Sequence, residues 1–249
     1  MRLNILRLAH AAGRKGAHIA PSLSMVEIMA ALFVDVMDHG RDLFVLSKGH
    51  GALCYYTAMH QAGLIGKDQL DTFEENGGEF SGQPSRSDRN RIAFSSGSLG
   101  MGLSYGAGRA LAKKRSRDGG KVYVLIGDGE LNEGSIWEAA MFSAHFGLNN
   151  LVAIVDKNNM QSDGCSKDIM RLDVQSIWRS FGWDAKTCDG HDASALRDAF
   201  ASESERPRVL IAETVKGKGV SFMEHQRGWH HGHMTEAQFS EAMAEVIHA

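Results

Sequence analysis

The chain has 249 residues, of which 43% are hydrophobic, enough to bury one large core or two small ones. Its formal net charge is −3, with acidic and basic residues interspersed, a composition that indicates neither nucleic acid nor a membrane surface as a partner. The three cysteines, Cys54, Cys165 and Cys188, are widely spaced and include no CxxC pair. This spacing is typical of reduced thiols, so we predict a cytoplasmic protein.

Hydrophobic periodicity, helix caps and turn residues divide the chain into alternating helices and short strands. They predict helices at residues 1–12, 24–37, 52–62, 67–75, 135–146, 169–181, 193–202 and 235–248, and one more that follows residues 97–102 and ends near 114. Capping-box patterns open the helices that begin near residues 24 and 135. Apolar strands are predicted at 43–46, 122–126, 151–155, 183–186 and 209–214, and a polar loop at 76–91. This order predicts one doubly wound α/β domain over residues 1–249, with a mostly parallel sheet flanked by helices.

One pair of polar residues brackets the central strand–helix–strand unit. Asp128 lies in a Gly-Asp-Gly turn after the strand at 122–126, and Asn158 follows 30 residues later, after the strand at 151–155. Because parallel strands end at the same edge of a sheet, both side chains should emerge where open α/β sheets bind ligands. Two oxygen side chains there suit Mg²⁺ or Ca²⁺ together with phosphate oxygens. The alternative interpretation is a Gly-Asp-Gly turn that joins a strand to a helix in any α/β enzyme.

The residues around this pair, GDGELNEGSIWEAA and VDKNNMQ, resemble the thiamine-diphosphate signature as it occurs in transketolases. Glu133 and Gly134 follow the aspartate as they do in that family. Other segments that are similar to transketolase motifs lie at residues 16–18, 47–51, 97–102, 189–192, 216–219 and 229–230. The resemblance therefore covers the chain from about residue 9 to residue 233. It is strongest to the amino-terminal subunit of a split, two-chain bacterial transketolase.

The resemblance implies a cofactor, thiamine diphosphate, and a divalent cation, Mg²⁺ or Ca²⁺. The implied cation ligands are Asp128, Asn158 and the backbone carbonyl of Met160. The implied cofactor-binding residues are His50, Gly97, Ser98, Leu99, Asp128, Gly129, Asn158 and His230.

The implied catalytic residues are His18 and His230, which would face the ketose. Imidazoles suit this task because they hydrogen-bond a substrate oxygen and move protons near neutral pH. His231 is adjacent to His230, so the register of the late histidine stays open between the two. A zinc or nickel site is an alternative for the group His225, His230, His231 and His233, although no matching carboxylate or thiol spacing accompanies it. We interpret His191 as a turn residue that hydrogen-bonds locally.

The implied reaction is transfer of a two-carbon ketol unit from a ketose (phosphate) donor to an aldose (phosphate) acceptor. In the family, a glutamate on a second α/β domain activates the cofactor. We therefore expect a partner chain that supplies this glutamate and the remaining domains, in an α2β2 assembly. The alternatives are a decarboxylating subunit of the same cofactor class and a non-catalytic scaffold. Gln83 stands where transketolases generally have a histidine, so we predict either a different ketose or a contact that only orients it.

Overall fold

The computed structural model describes residues 1–248. Its helices are α1 (Arg2–Ala11), α2 (Ile19–Leu23), α3 (Val26–Ala30, continued by a π-helical segment Ala31–Val36), α4 (Ala52–Gln61), α5 (Lys67–Leu70), α6 (Met101–Ser116), α7 (Gly134–His145), α8 (Ser166–Ile169), α9 (Val174–Ser180), α10 (Ala193–Ala201) and α11 (Glu236–His248). Its strands are β1 (Leu43–Leu46), β2 (Val122–Gly127), β3 (Leu151–Lys157), β4 (Asp184–Asp189) and β5 (Arg208–Glu213). Within these residues no helix is both long and apolar enough to cross a membrane.

The five strands form one parallel sheet in the order β1-β2-β3-β5-β4. In the register of β2 with β3, Gly127 is paired with Asp156. In the register of β3 with β5, Lys157 is paired with Glu213. The segments that follow β2, β3 and β5 therefore all begin at one edge of the sheet, which is the edge where open α/β folds place ligands.

Helices cover both faces of the sheet, which confirms the predicted doubly wound α/β class. Alternate residues of β2 point to opposite faces. Val124 packs in a core with residues of α6, α7 and α9, whereas Tyr123 and Leu125 pack in a second core with residues of α1 to α4 and α10. The central strands β2 and β3 are buried on both faces, as expected for parallel strands between two helical layers.

Several predicted element boundaries were wrong, because contacts distant in sequence override local patterns. Ser24 does not cap a helix, since its hydroxyl donates to Asp156 at 2.6 Å, and α3 begins at Val26. Ser135 does not cap α7 either, because its hydroxyl donates to the carbonyl of Gly100 at 3.1 Å. The helix predicted at 67–75 ends at Leu70. Of the helix predicted at 169–181, only α9 (Val174–Ser180) forms as predicted; Ile169 ends the short helix α8, and Met170 is extended.

Candidate active site at the carboxyl edge of the sheet

Asp128 and Asn158 lie where β2 and β3 end, and neighbouring groups fix both side chains. The Asp128 carboxylate accepts a hydrogen bond from the backbone of Gly129 at 2.8 Å and one from the Ser166 hydroxyl at 3.2 Å. The Asn158 amide nitrogen donates to Asp156 at 3.2 Å, and its oxygen accepts from the backbone of Met160 at 3.1 Å. The carboxylate oxygens of Asp128 and the amide oxygen of Asn158 each keep a free lone pair. Each of the two side chains can therefore offer an oxygen to a cation.

A fully buried ion pair beside Asn158 was not predicted from the sequence. The Lys48 ammonium contacts the Asp156 carboxylate, and both side chains have no exposed surface. Asp156 also accepts hydrogen bonds from Ser24 and Thr214. Burial alone would raise the pKa of Asp156, but the charge of Lys48 and these hydrogen bonds outweigh burial and lower that pKa. Asp156 is therefore a permanent negative charge beneath the site.

Burial and the neighbouring charge of Asp156 raise the pKa of Asp128 to about 6. Asp128 is 8% exposed. Ionising its carboxylate costs free energy, because the group is poorly solvated and lies next to a second anion. A cation at this carboxylate would remove that cost.

The turn after β3 places further polar groups beside Asp128. Met160 pairs with Cys165 in an isolated bridge whose hydrogen bonds are donated by Gln161 and Ser166, so the bridge does not use the carbonyl of Met160. The side chain of Gln161 covers Gly129, where an added β-carbon would lie 2.9 Å from Gln161 Cγ. The buried amide nitrogen of Gln161 has no hydrogen-bond partner among the described residues. A buried donor without a partner is uncommon in folded proteins.

Three histidines from distant segments converge above this edge. An antiparallel bridge between Ala17 and Gly232 brings His18 close to the late histidines. The ring centroid of His18 lies 6.0 Å from that of His50 and 5.4 Å from that of His230, and the rings of His50 and His230 are 5.3 Å apart. His231 also contacts His18, at 4.6 Å between centroids. The structure therefore brings both His230 and His231 to this cluster.

The three rings are held in their neutral form. Burial, followed by the nearby positive charges, lowers the pKa of His18 to about 4 and that of His230 to about 3. The same causes hold the pKa of His50 well below its ordinary value. Neutral imidazoles both donate and accept hydrogen bonds, which suits orientation of a hydroxylated substrate.

Lys216 is a further buried residue of this site for which the sequence analysis predicted no role. Its ammonium lies 2.9 Å from Nδ1 of His230 and 3.4 Å from the backbone oxygen of Gln161, and the residue is 2% exposed. Burial, helped by the charge of Lys48, lowers the pKa of Lys216 to about 8. None of the ion pairs among the described residues includes Lys216, so its buried charge has no carboxylate partner there. The position of Lys216 in the KGKG segment resembles a family motif, but the neighbouring residues in the sequence do not indicate that its side chain is buried.

The segment predicted to contact the cofactor rings is fixed by a buried carboxylate. Glu130 accepts hydrogen bonds from the backbone of Gly100 at 2.8 Å and of Gly127 at 3.1 Å, and from the Ser47 hydroxyl. Gly97 has φ +142°, which only glycine adopts readily. Ser98 and Leu99 are exposed next to it.

Gln83 reaches into the same region. A β-carbon on Gly49 would collide with Oε1 of Gln83, and this oxygen has no hydrogen-bond partner among the described residues. The buried hydroxyl of Ser96, 2.7 Å from the same β-carbon position, also lacks a partner there. Both polar atoms are therefore buried beside Gly49 without a partner among the described residues.

Two other histidine interpretations changed. His191 does not only bond locally, because its ring contacts Glu27 and the backbone of Val215, both at 2.8 Å. Of the four histidines considered for a zinc site, only His230 and His231 belong to the ring cluster. In residues 1–248, no group of three or more His, Cys, Asp or Glu side chains is arranged to hold a metal.

Comparison with known proteins first defines the class. The family model described as "Transketolase, thiamine diphosphate binding domain" matches residues 3–245. The fold is also that of solved transketolases: the enzyme from Leishmania mexicana matches with a TM-score of 0.86 and 26% identity, over 98% of this chain and 40% of that one. The transketolase of Campylobacter jejuni matches with a TM-score of 0.87, over 98% of this chain and 40% of that one. The chain thus spans about 40% of the length of these solved enzymes.

Relatives of similar length specify the family further. The chain is 40% identical over 244 residues to an apulose-4-phosphate transketolase subunit of Phocaeicola vulgatus, covering 93% of this chain and 86% of that protein. It is 38% identical over 245 residues to the 6-deoxy-6-sulfo-D-fructose transketolase subunit SqwG of a Clostridium species, covering 92% and 88%. The chain therefore belongs to the transketolase family, as a thiamine-diphosphate-binding domain. The family predicted from the sequence motifs is confirmed.

Proposed function

We propose that this chain is the cofactor-binding subunit of a two-chain transketolase, which transfers a two-carbon ketol unit from a ketose to an aldose. Its relatives of similar length are named as transketolase subunits. The observation that carries the proposal is the convergence, at one sheet edge, of the Asp128 and Asn158 oxygens, the Lys216 ammonium and three neutral histidines.

The residues present fit thiamine diphosphate with a divalent cation. Asp128, Asn158 and the Met160 carbonyl would hold Mg²⁺ or Ca²⁺, because hard cations prefer oxygen ligands. Lys216 and the unpartnered amide of Gln161 would meet the diphosphate as cation and donor.

The remaining cofactor contacts follow from the same placement. His50 and His230 would donate hydrogen bonds to phosphate oxygens. The backbone of Gly129, which the side chain of Gln161 covers, would lie beside the diphosphate. The exposed segment formed by Gly97, Ser98 and Leu99 would pack against the rings. When bound, the cofactor supplies a carbon that adds to a ketose carbonyl and stabilises the resulting negative charge.

The residues of this chain would orient the sugar through hydrogen bonds. His18 and His230 are neutral near pH 7 because both pKa values lie well below it. Each neutral ring can therefore donate a hydrogen bond to a sugar oxygen, and His18 can also accept one from a sugar hydroxyl, whereas Nδ1 of His230 already accepts from Lys216. The unpartnered oxygen of Gln83 would accept from another hydroxyl of the same sugar. Phosphorylated or otherwise anionic ketoses are the expected donors, since the named relatives act on a sugar phosphate and a sulfosugar.

A partner subunit would complete the enzyme. Residues 1–249 would form the single diphosphate-binding domain, and the partner would supply the pyrimidine-binding glutamate and the other domains in an α2β2 assembly. The described cysteines are free, and on this basis we place the enzyme in the cytoplasm.

Reconstitution tests the proposal. The purified chain, its partner subunit, thiamine diphosphate and Mg²⁺ should together convert a ketose phosphate and an aldose into a new ketose and a shortened aldose. Asp128→Asn should abolish metal-dependent cofactor binding in calorimetry, whereas the matched change Asp198→Asn on the exposed surface of α10 should leave it intact. Transfer by the chain without its partner would refute the partner requirement. Cofactor binding that is absent, or indifferent to Mg²⁺, would refute the enzymatic role and favour a scaffold.

A further inference from the structure

The segment that carries Lys216 is held at both ends by side chains distant in sequence. Before Lys216, the backbone N–H of Val215 donates to Nε2 of His191 at 2.8 Å. After it, the backbone carbonyl of Lys218 accepts a hydrogen bond from Nε of Arg2 at 2.9 Å. The two anchoring side chains therefore bracket Lys216 along the chain.

Glu27 on α3 joins the two anchors. One of its oxygens accepts from Nδ1 of His191 at 2.8 Å, and the guanidinium of Arg2 contacts both oxygens, one of them at 3.0 Å. Since Nε2 of His191 accepts from Val215, the proton of the neutral ring must lie on Nδ1 and point at Glu27. Arg2, Glu27 and His191 thus form one continuous hydrogen-bonded unit, which we name the loop clamp.

The carboxylate at the centre of the loop clamp is fully ionised. Burial would raise the pKa of Glu27, but the hydrogen bonds from His191 and Arg2 lower it to about 2. Charge-assisted hydrogen bonds of this kind are stronger than neutral ones and fix the geometry of both partners.

The backbone of the segment is shaped to approach the loop clamp. Gly219 has φ +91°, and a β-carbon there would lie 2.8 Å from Nε of Arg2. Only glycine meets both conditions without strain. The close contact keeps the Lys218 carbonyl within reach of the guanidinium.

We propose that the loop clamp of Arg2, Glu27 and His191 is a positioning device that holds the Lys216 ammonium toward the cofactor diphosphate. These residues do not touch the ligand themselves but act through the 215–218 backbone. The inference rests on the proposed function, because that function assigns Lys216 to the diphosphate.

Two substitutions of His191 separate its two hydrogen bonds. An amide nitrogen in His191→Asn can take the place of Nδ1 and keep Glu27, but it cannot reach Val215. The longer side chain of His191→Gln can place its oxygen where Nε2 accepts from Val215. His191→Asn should weaken thiamine diphosphate binding about tenfold, the equivalent of one hydrogen bond of ~1.4 kcal/mol, whereas His191→Gln should stay within about threefold of the parent.

A double-mutant cycle with Lys216 tests whether the loop clamp acts through that residue. The chain is assembled with its partner subunit, and the dissociation constant of thiamine diphosphate is measured by calorimetry in saturating Mg²⁺. Once Lys216→Ala has weakened binding, adding His191→Asn should change the constant by less than about twofold, because both changes remove the same contact. An equal effect of His191→Asn in both backgrounds, or no effect in the parent, overturns the proposal.

A second variant covers a failure of His191→Asn to fold. Arg2→Met removes the contact with the Lys218 carbonyl from the partly exposed end of the loop clamp, and it should show the same non-additivity with Lys216→Ala. Additive effects overturn the proposal. If Lys216→Ala binds the cofactor as tightly as the parent, the assignment of Lys216 is wrong and the loop clamp falls with it. The metal-dependent binding that Asp128→Asn examines would then still test the proposed function by itself.

Discussion

Replacing Asp128 by asparagine should stabilise the metal-free chain while it destroys the proposed metal site. The pKa of Asp128 is raised from 3.8 to about 6, chiefly by burial and then by the charge of Asp156. This pKa difference between the unfolded and the folded state lowers the free energy of unfolding by about 3 kcal/mol at a pH where the carboxyl is ionised in both states. The amide can preserve the local geometry, because its oxygen can accept from Gly129 and its nitrogen can donate to Ser166.

The sign of the pH dependence follows from the raised pKa. The stability linked to Asp128 is fully present below pH 3.8 and is lost as the pH rises through about 6. The variant should therefore exceed the parent by about 1–3 kcal/mol at pH 7.5, and this advantage should shrink as the pH falls toward 4.

Urea unfolding followed by circular dichroism, in the presence of a chelator, measures the free energy of unfolding of both proteins. Asp198→Asn is the matched control, since the same chemical change on an exposed helix surface should alter stability by less than about 0.5 kcal/mol. An Asp128→Asn variant that is no more stable than the parent at pH 7.5 would refute the reasoning. So would an advantage that does not depend on pH.

Three further predictions follow from the site. The rings of His18 and His230 should remain neutral at pH 5.5. The stability that depends on their neutral form should be lost only as the pH falls below 6.5 toward about 4 for His18 and about 3 for His230. An NMR titration that finds either ring with a pKa near 6.5 would contradict this prediction. Lys48→Met should lower the free energy of unfolding, measured in urea, by about 3–5 kcal/mol, because it leaves the Asp156 charge buried and unpaired. Adding Asp156→Asn should recover part of that loss. A small effect of Lys48→Met alone would show that Asp156 finds another partner. Gln83→His should change the relative rates on different donor ketoses in the reconstituted enzyme, and unchanged ratios would remove Gln83 as a determinant of specificity.

The parts of the molecule that follow from local sequence were predicted well. The apolar runs that became β2 and β3 identified a buried parallel sheet, because strands covered on both faces have no polar side. Parallel strands end at one edge, so the placement of Asp128 and Asn158 directly after β2 and β3 at that edge followed from topology alone. The approach of His18 to His230 did not follow from such reasoning. It came only from the resemblance of short motifs that are more than two hundred residues apart.

The missed features all depend on contacts between distant segments. Lys48 and Asp156 are 108 positions apart, and neither has a neighbour in sequence that reveals the ion pair. The same buried carboxylate explains a wrong prediction, because Ser24 donates to Asp156 across 132 positions instead of capping a helix. A serine in a capping-box pattern satisfies a local rule, but a buried charge nearby competes for the hydroxyl. Local patterns are therefore least reliable next to a site that gathers charge.

Burial changes the pKa values of the ionisable groups at the sheet edge in a common way. Burial shifts Asp128 and Lys216 in opposite pKa directions, and in both cases the shift favours the neutral form. A dication beside Asp128 and a diphosphate beside Lys216 would each restore the charge that burial penalises. The cation would also attract the diphosphate directly, so each ligand would bind more tightly in the presence of the other, and by thermodynamic linkage to the same extent. His230 is linked to this charge balance, because its Nδ1 lies 2.9 Å from the Lys216 ammonium.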